Sequence, residues 1–173
     1  MQDSSYQIDL LCSEYERAFQ EFIISNRFFG NDQQYYDRCL ERMELNELEV
    51  VVAVIEEQVV GYCLLNWGPK YAYFKKFELP EIQDLNVEGK FRRQGIGAAI
   101  IDLCEKYAMK KGHAEMGIGV GLDSSFGAAQ RLYARLGYIP DGQGISYDRK
   151  QVAVGEFRPI DENLCLMMTR KLK

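Results

Sequence analysis

One stretch, residues 80–98, constrains the fold of this chain more than any other. It reads PEIQDLNVEGKFRRQGIGA, in which a strand-like segment and a charged loop precede Gly95 and Gly97, where a helical apolar pattern begins. A glycine-containing loop that enters a helix leaves the first backbone N–H groups of that helix without partners. Such groups bind anions, and phosphates above all. The stretch therefore predicts a strand, a helix and a candidate phosphate site between them.

The composition is that of an ordinary folded domain. The chain has 173 residues, of which 47% are apolar and 27% charged, so one domain over residues 1–173 is expected. A net charge of -5 argues against an electrostatic nucleic-acid binder. No apolar run reaches the about 20 residues that a bilayer span needs, and the N-terminus lacks a signal-peptide pattern. We therefore expect a cytoplasmic protein with neither a membrane nor a nucleic acid as partner.

The use of cysteine and histidine argues against two kinds of site. The five cysteines are an odd number without CxxC spacing, which predicts buried thiols in a reducing compartment and neither disulfides nor a zinc site. His113 is the only histidine, so a Ser-His-Asp triad or a multi-histidine metal site has little material. No metal is expected, and His113 is expected in a surface loop.

The apolar pattern along the chain predicts one α/β (α+β) domain with a mixed sheet. The expected order is a strand at 6–11, two helices, a hairpin over 48–66, a strand at 81–87, a helix from Gly95, a strand at 114–120, a helix over 125–136, and strands at 138–140 and 164–169. A turn is expected at 141–144. Residues 145–163 are weakly patterned and receive no assignment.

Two groups of aromatic residues each allow two interpretations. In the two N-terminal helices the aromatics are expected to pack in the core, but Phe28, Phe29 and Tyr36 become candidates for substrate contact if these helices border a cleft. The segment 67–77 is expected to be a loop whose aromatics either pack back on the sheet or form the wall of a binding site. The aromatics considered for such a wall are Trp67, Tyr71, Tyr73 and Phe74.

Two motifs follow one another at matching spacing. Residues 92–97 read RRQGIG, and residues 129–133 read AQRLY, followed by Gly137 and Tyr138. In these motifs the chain resembles the GNAT superfamily of acetyl-coenzyme A-dependent N-acetyltransferases, whose signatures are Arg/Gln-x-x-Gly-x-Gly/Ala and Ala-x-x-Leu-Tyr with a following Gly-Tyr or Gly-Phe. The resemblance implies a single domain with a mixed, mostly antiparallel central sheet and about four flanking helices.

The resemblance implies acetyl-CoA as cosubstrate, held largely by main-chain atoms. The pantetheine arm would pair with Leu85, Asn86 and Val87, and the pyrophosphate would lie at the helix N-terminus, where free N–H groups and a partial positive charge favour it. The residues implied at the turn are Arg92, Arg93, Gln94, Gly95, Ile96, Gly97 and Ala98. The alternative interpretation is a tight turn whose glycines have no ligand and whose basic residues are ordinary surface charges.

The resemblance also implies candidates for proton transfer. Tyr133 matches the family tyrosine that protonates the departing thiolate, since a phenol with a pKa near 10 stays protonated. Glu81 lies where some members carry a catalytic glutamate, with Asp84 or a water chain as rivals. Strand alternation separates Glu81 from Asp84 unless a bulge intervenes. Phe126 departs from the family, which often has asparagine there, and Ser124 or Ser125 is a substitute for that cofactor contact.

The expected activity is acetyl transfer from acetyl-CoA to a primary amine by direct attack in a ternary complex. The acceptor stays open between a small amine, a free amino acid and a peptide or protein amine. The aromatic residues of segment 67–77 and Asp84 are candidates for binding it. A non-catalytic module that binds or senses acyl-CoA is the alternative. Family members are frequently dimers, so a homodimer is compatible with the resemblance.

Overall fold

The computed structural model describes residues 6–26 and 32–173, and the bounds of its helices and strands follow. The strands are β1 (Gln7–Leu10), β2 (Leu48–Ile55), β3 (Gln58–Asn66), β4 (Glu81–Val87), β5 (Glu115–Gly121), β6 (Ile139–Tyr147), β7 (Lys150–Gln151) and β8 (Leu164–Lys171). The helices are α1 (Glu16–Asn26), α2 (Asp32–Glu44), α3 (Ala72–Lys76), α4 (Ile96–Lys110) and α5 (Gly127–Arg135), with 3₁₀ turns at Gly89–Phe91 and Ser124–Phe126.

The strands form one sheet, hydrogen-bonded in the order β1-β2-β3-β4-β5-β8-β6-β7. The pairs with a defined register are antiparallel apart from β4 and β5, which run parallel with Glu81 opposite Gly117. The predicted mixed, mostly antiparallel sheet is therefore confirmed. The chain divides into two compact units, one of Met1–Asn66 with Gln83–Lys106 and one of Trp67–Ile82 with Tyr107–Lys173. A single domain over residues 1–173 stays a prediction.

The first unit forms its core between the β2–β3 hairpin and the helices α1 and α2. The hairpin turns at Glu56 and Glu57, whose φ angles of 47° and 65° are those of a two-residue turn that follows the twist of its strands. The helices bury the apolar residues of one face against the hairpin, as their three-and-four spacing predicts. Tyr36 lies in this core (7% exposed), while Phe28 and Phe29 fall outside the described residues.

The second unit is built on β5, β8 and β6, which pair side by side in antiparallel fashion. Two glycines of β5 make room for aromatic rings. A Cβ on Gly117 would lie 2.4 Å from Cε2 of Phe74, and one on Gly121 would lie 2.3 Å from Cδ2 of Phe126. The glycine-rich pattern of β5 thus has a packing cause in this unit.

Two segments differ from the sequence prediction. The expected loop at 67–77 contains the short helix α3, which brings the described α-helices to five where about four are expected. The turn expected at 141–144 lies inside β6, which continues to Tyr147 with a register irregularity between Pro140 and Ile145. Gly142 and Gly144 have φ angles of 82° and 80°, so they absorb this irregularity within the strand.

The cysteines largely follow the prediction. All five are free thiols, and Cys39, Cys63 and Cys104 are buried, whereas Cys165 is half-buried and Cys12 exposed. None of the helices in the described ranges has both the length and the apolar character that a membrane crossing requires.

Candidate active site

The turn from β4 into α4 has the geometry of an anion site. Arg93 and Gly95 both have left-handed φ angles, 62° and 87°, and α4 begins directly afterwards. The side chain of Ile96 is buried (1% exposed), whereas Arg92, Arg93, Gln94 and Gly95 are exposed. The N-terminus of this long helix therefore follows an exposed, basic and glycine-containing backbone, an arrangement that favours a bound phosphate.

Side chains of this turn bond back to its own backbone. Nε of Arg92 donates to the carbonyl oxygen of Val87 at 2.8 Å, and Nε2 of Gln94 donates to the carbonyl oxygen of Lys90 at 3.2 Å. A Cβ on Gly95 would lie 3.3 Å from Oη of Tyr6, and its positive φ would strain any side chain. The turn is thus held in one shape, and glycine at position 95 is required by the backbone.

Asp84, in the middle of β4, has a φ of 53°, which lies in the left-handed region. Nδ2 of Asn86 donates to the carbonyl oxygen of Asp84 at 3.1 Å. Gly61 of β3 approaches so closely that a Cβ there would lie 2.9 Å from the carbonyl oxygen of Asn86. Leu85, Asn86 and Val87 are half-buried. Strand alternation assumes an extended backbone, and the φ of Asp84 departs from it, so alternation alone does not fix the sides on which Glu81 and Asp84 lie.

Asp84 accepts the last hydrogen bond of a chain that starts in the core of the first unit. The hydroxyl of Tyr62 donates to Oη of Tyr35 at 3.1 Å, and the Tyr35 hydroxyl donates to Oδ2 of Asp84 at 2.9 Å. Burial raises the pKa of the Asp84 carboxyl, while the Tyr35 hydrogen bond and the charge of Arg42 oppose that rise. Burial also raises the pKa of each tyrosine, so both keep their protons at neutral pH.

Glu81, the predicted base, lies fully buried at the start of β4 (0% exposed) and forms an ion pair with Nη1 of Arg149. Arg149 belongs to the turn between β6 and β7, where Asp148 and Arg149 have φ angles of 47° and 63°. The Arg149 side chain is 34% exposed, and desolvation lowers the pKa of its guanidinium. The Glu81 carboxylate therefore has a cation as partner and no exposed surface.

Arg149 is a site residue that sequence reasoning missed. It lies in the unassigned segment 145–163, and 68 positions separate it from Glu81 in the chain. The residues Tyr147-Asp148-Arg149-Lys150 contain neither the glycine nor the asparagine that usually marks a two-residue hairpin turn. The sequence signal for this turn is therefore weak, although a charged residue in a turn beside a strand is a place to look.

Tyr133, the predicted acid, lies on α5 with its side chain buried (5% exposed). Its ring centroid is 6.3 Å from that of Tyr138, and its carbonyl oxygen accepts from the Tyr138 N–H at 3.0 Å. The ring of Phe126, where the family often has asparagine, covers Gly121 of β5. The Ser125 N–H donates to Oδ1 of Asp123 at 2.7 Å, which caps the 3₁₀ turn before α5. At the position where the family often has asparagine, Phe126 therefore packs against the sheet.

The aromatic residues of segment 67–77 do not form one continuous wall. Tyr71 and Phe74 are buried, their ring centroids are 4.9 Å apart, and they pack with Leu79 and Met167. The Tyr71 hydroxyl donates to Oδ2 of Asp141 at 2.8 Å. Packing on the sheet, one of the two open interpretations, therefore holds for Tyr71 and Phe74.

Trp67 lies apart from this cluster. Its ring stacks on His113 at 5.7 Å between centroids, and Nζ of Lys111 lies 4.0 Å from the centroid of the indole. Tyr73 is half-buried, with its ring centroid 4.8 Å from that of the exposed Phe77. His113, expected in a surface loop, is half-buried against Trp67.

The predicted site residues fall into two groups. The first unit holds Asp84 and the cofactor residues predicted in β4 and at the turn into α4, and the second holds Tyr133, Glu81, Ser124, Ser125 and the aromatic residues of segment 67–77. Across the described parts of the chain, no group of three or more His, Cys, Asp or Glu side chains is arranged to hold a metal ion.

A family model joins the turn and the helix tyrosine in one pattern. The model of the acetyltransferase (GNAT) family matches residues 9–138, which is most of the chain. The chain therefore belongs to the GNAT acetyltransferase family. An uncharacterised N-acetyltransferase of Methanocaldococcus jannaschii is 32% identical over 98 residues, which are 56% of this chain and 41% of that protein. The chain thus spans less than half the length of that relative.

Solved structures share the fold at low sequence identity. A GNAT family acetyltransferase from Elizabethkingia anophelis, with acetyl-CoA bound, has a TM-score of 0.64 at 21% identity and covers 99% of this chain and 100% of its own. An aminoglycoside 6'-N-acetyltransferase complexed with coenzyme A has a TM-score of 0.66 at 14% identity, covering 96% and 97%. Both support the GNAT fold for this chain.

Proposed function

We propose that this protein transfers an acetyl group from acetyl-CoA to a primary amine of a small-molecule or peptide acceptor, by direct attack in a ternary complex. The observation that carries the proposal is the RRQGIG turn, in which Gly95 at a φ of 87° leads directly into α4. Membership in the GNAT acetyltransferase family supports the same reaction. The cytoplasmic location and a homodimer stay predictions.

The residues of the turn fit the charged part of acetyl-CoA. A pyrophosphate needs several N–H donors and positive charge, and the N-terminus of α4 with Arg92 and Arg93 offers both. Main-chain atoms of Leu85, Asn86 and Val87 would pair with the pantetheine arm, although the Val87 carbonyl oxygen already accepts from Arg92. Acetyl-CoA supplies a thioester carbonyl that an amine attacks.

Tyr133 is the proposed acid. A buried phenol keeps its proton at neutral pH and donates it to a sulfur that gains negative charge. Glu81 as the base stays a prediction, and its surroundings do not favour that role, because its carboxylate is fully buried and paired with Arg149. A base needs a path to the proton that it removes.

The acceptor is a primary amine whose identity needs a screen. The fold neighbour that acts on aminoglycosides names one acceptor class to include. Polyamines, free amino acids and a lysine-containing peptide cover the other classes. Thiol release from acetyl-CoA in the presence of each amine measures turnover directly. Tight acetyl-CoA binding without thiol release from any amine would contradict the proposed function and favour a binding or sensing module.

Replacing Tyr133 by Phe tests the acid. We expect kcat to fall by about 10²-fold, the lower end of what a positioned proton donor contributes, with little change in the Kd of coenzyme A. Tyr138→Phe is the matched control, because this buried neighbour loses the same hydroxyl on a ring 6.3 Å away. Equal kcat values for wild type and Tyr133→Phe would remove Tyr133 from the mechanism, and equal losses in both variants would make its role structural.

A further inference from the structure

Asp84 combines a strained backbone with a carboxyl group in a half-buried residue. A φ of 53° is uncommon outside glycine, and aspartate is among the residues that adopt it most readily. Such conformations persist where the surroundings over-determine them, and they cluster at functional sites. Two positions later, Gly61 lies against the carbonyl oxygen of Asn86, and the Asn86 amide donates to the carbonyl oxygen of Asp84. The backbone that follows Asp84 is therefore held by a neighbouring strand and by a side-chain hydrogen bond.

In the chain of hydrogen bonds from Tyr62 through Tyr35 to Asp84, each hydroxyl donates in the direction of the Asp84 carboxyl group. A tyrosine hydroxyl has one proton to donate, and here Tyr62 gives its proton to Tyr35 while Tyr35 gives its own to Asp84. A chain that donates inward in this way matches an ionised carboxylate at its end. Tyr35 and Tyr62 are also buried, so the carboxylate oxygen that they hold has a defined position.

We propose that Asp84 takes the proton from the acceptor amine and that Tyr35 is the positioning residue that orients its carboxylate. The proposal rests on the proposed function and names the group that accepts the proton in that reaction. Unlike Glu81, Asp84 is half-buried and makes no salt bridge with another described residue.

The protons and bonds of the step balance. Asp84 takes one proton from the ammonium form of the acceptor and later releases it to solvent. The neutral amine then forms a C–N bond to the acetyl carbon as the C–S bond breaks. Tyr133 gives its proton to the departing sulfur and regains one from the new amide nitrogen. The net products are the acetylated amine, the free thiol and one proton in solution.

The pKa of the Asp84 carboxyl depends on the titratable and charged side chains that surround it. From α2 these are Tyr35, Cys39 and Arg42, and from β3 they are Tyr62 and Cys63. Burial raises the pKa of Cys39 to about 11 and that of Cys63 well above its ordinary value, so both thiols stay neutral at pH 7. Arg42 is the one cation of this set. An efficient base has a pKa near the working pH, and the burial of Asp84 moves its pKa in that direction.

The test is the pH dependence of kcat/KM, measured by thiol release with acetyl-CoA and the panel amine that wild type turns over best. Asp84→Asn should lower kcat/KM by about 10²–10⁴-fold and abolish the acidic limb. Tyr35→Phe removes a hydrogen bond that lowers the Asp84 pKa, so the acidic limb should move to higher pH. Above the shifted limb, this variant should regain most of the wild-type rate.

The matched control is Tyr36→Phe, the same substitution one position along α2. Its hydroxyl contacts the carbonyl oxygen of Glu16 at 3.5 Å and lies in the core, so the acidic limb should stay where wild type has it. Asparagine suits a left-handed φ, which favours folding of Asp84→Asn, and binding of coenzyme A by each variant verifies the fold. An acidic limb that persists in Asp84→Asn, or that Tyr35→Phe leaves unmoved, would overturn the proposal.

The failure of this proposal differs from the failure of the proposed function. If wild type releases thiol with an amine and Asp84→Asn keeps its rate and its profile, only the role of Asp84 falls. If wild type releases no thiol with any panel amine, the proposed function itself falls. A direct titration of the Asp84 carboxyl by ¹³C NMR, assigned by its loss in Asp84→Asn, gives a readout without an acceptor: an upward shift in Tyr35→Phe is expected, and no shift would overturn the positioning role.

Discussion

The start and the middle of β4 carry two acidic residues in opposite environments. Glu81 is fully buried and paired with Arg149, a cation from a hairpin turn 68 positions away. Asp84, three positions later, is half-buried with a left-handed φ and accepts its hydrogen bond from an uncharged hydroxyl. The first carboxylate is paired with a cation, whereas the second accepts a hydrogen bond at the end of a chain of two tyrosines.

The two carboxylates differ in what a change at each of them would leave behind. A buried ion pair holds elements together, and removing either partner is costly because the other charge stays in a desolvated place. A carboxylate held by neutral donors can gain and lose a proton without breaking such a pair. Changes at the start and in the middle of β4 should therefore affect different properties, stability at Glu81 and pH dependence at Asp84.

The largest expected effect comes from Arg149→Met. The variant would leave the buried Glu81 without its guanidinium, which should lower the free energy of unfolding by about 3 kcal/mol and Tm by about 6–12 °C. Lys150→Met, at the exposed neighbour in the same hairpin, is the control and should leave Tm nearly unchanged. Equal Tm values for the two variants in thermal unfolding would show that the ion pair contributes no net stability.

A second variant tests the packing opposite Glu81. Gly117 pairs with Glu81 across β4 and β5, and a Cβ there would lie 2.4 Å from the Phe74 ring. Gly117→Ala should lower the free energy of unfolding by about 2 kcal/mol, measured by urea denaturation, because a ring or the backbone must move. In the control, Gly119→Ala, the added Cβ would lie 3.1 Å from Sδ of Met167, a flexible side chain that yields more easily. A greater loss in the control would contradict this account.

The smallest expected effect is that of Asp84→Asn, which should raise the stability of the protein where the two preceding variants lower it. Since the pKa of Asp84 is raised in the folded protein, the stability that this group contributes is present below about pH 4 and lost as pH rises through the raised pKa. Asp84→Asn removes this loss of stability, so its Tm should exceed that of wild type at pH 8, with no gain at pH 4. A variant that is less stable at pH 8 would contradict the burial argument.

Local patterns predict the elements of this fold well. The hairpin over 48–66, the faces of α1 and α2 and the entry into α4 all follow from spacing and turn residues within about 20 positions. Asp32 begins α2 and Gly95 immediately precedes α4, as the pattern indicates. The RRQGIG turn is predictable because its backbone geometry depends on its own glycine.

The parts that the sequence does not reveal depend on distant contacts. Helix α3 has no side-chain cap and only five residues, and the burial of Phe74 stabilises it. The left-handed φ of Asp84 lies two positions before the close approach of Gly61 to Asn86, and strand alternation anticipates neither. The partner of Glu81 lies in a segment without a periodic pattern. Candidate residues are therefore visible in the sequence, while the surroundings that separate Glu81 from Asp84 are not.

Two buried thiols of the first unit can report how often its helix α4 separates from its sheet. Sγ of Cys63 on β3 and Sγ of Cys104 on α4 lie 3.3 Å apart, and neither is exposed to solvent. An alkylating reagent reaches such sulfurs only while helix and strand are separated, whereas the exposed Cys12 reacts at once and calibrates the reagent. The rate at which these two buried sulfurs are modified thus records how often this helix leaves its sheet, without any introduced probe.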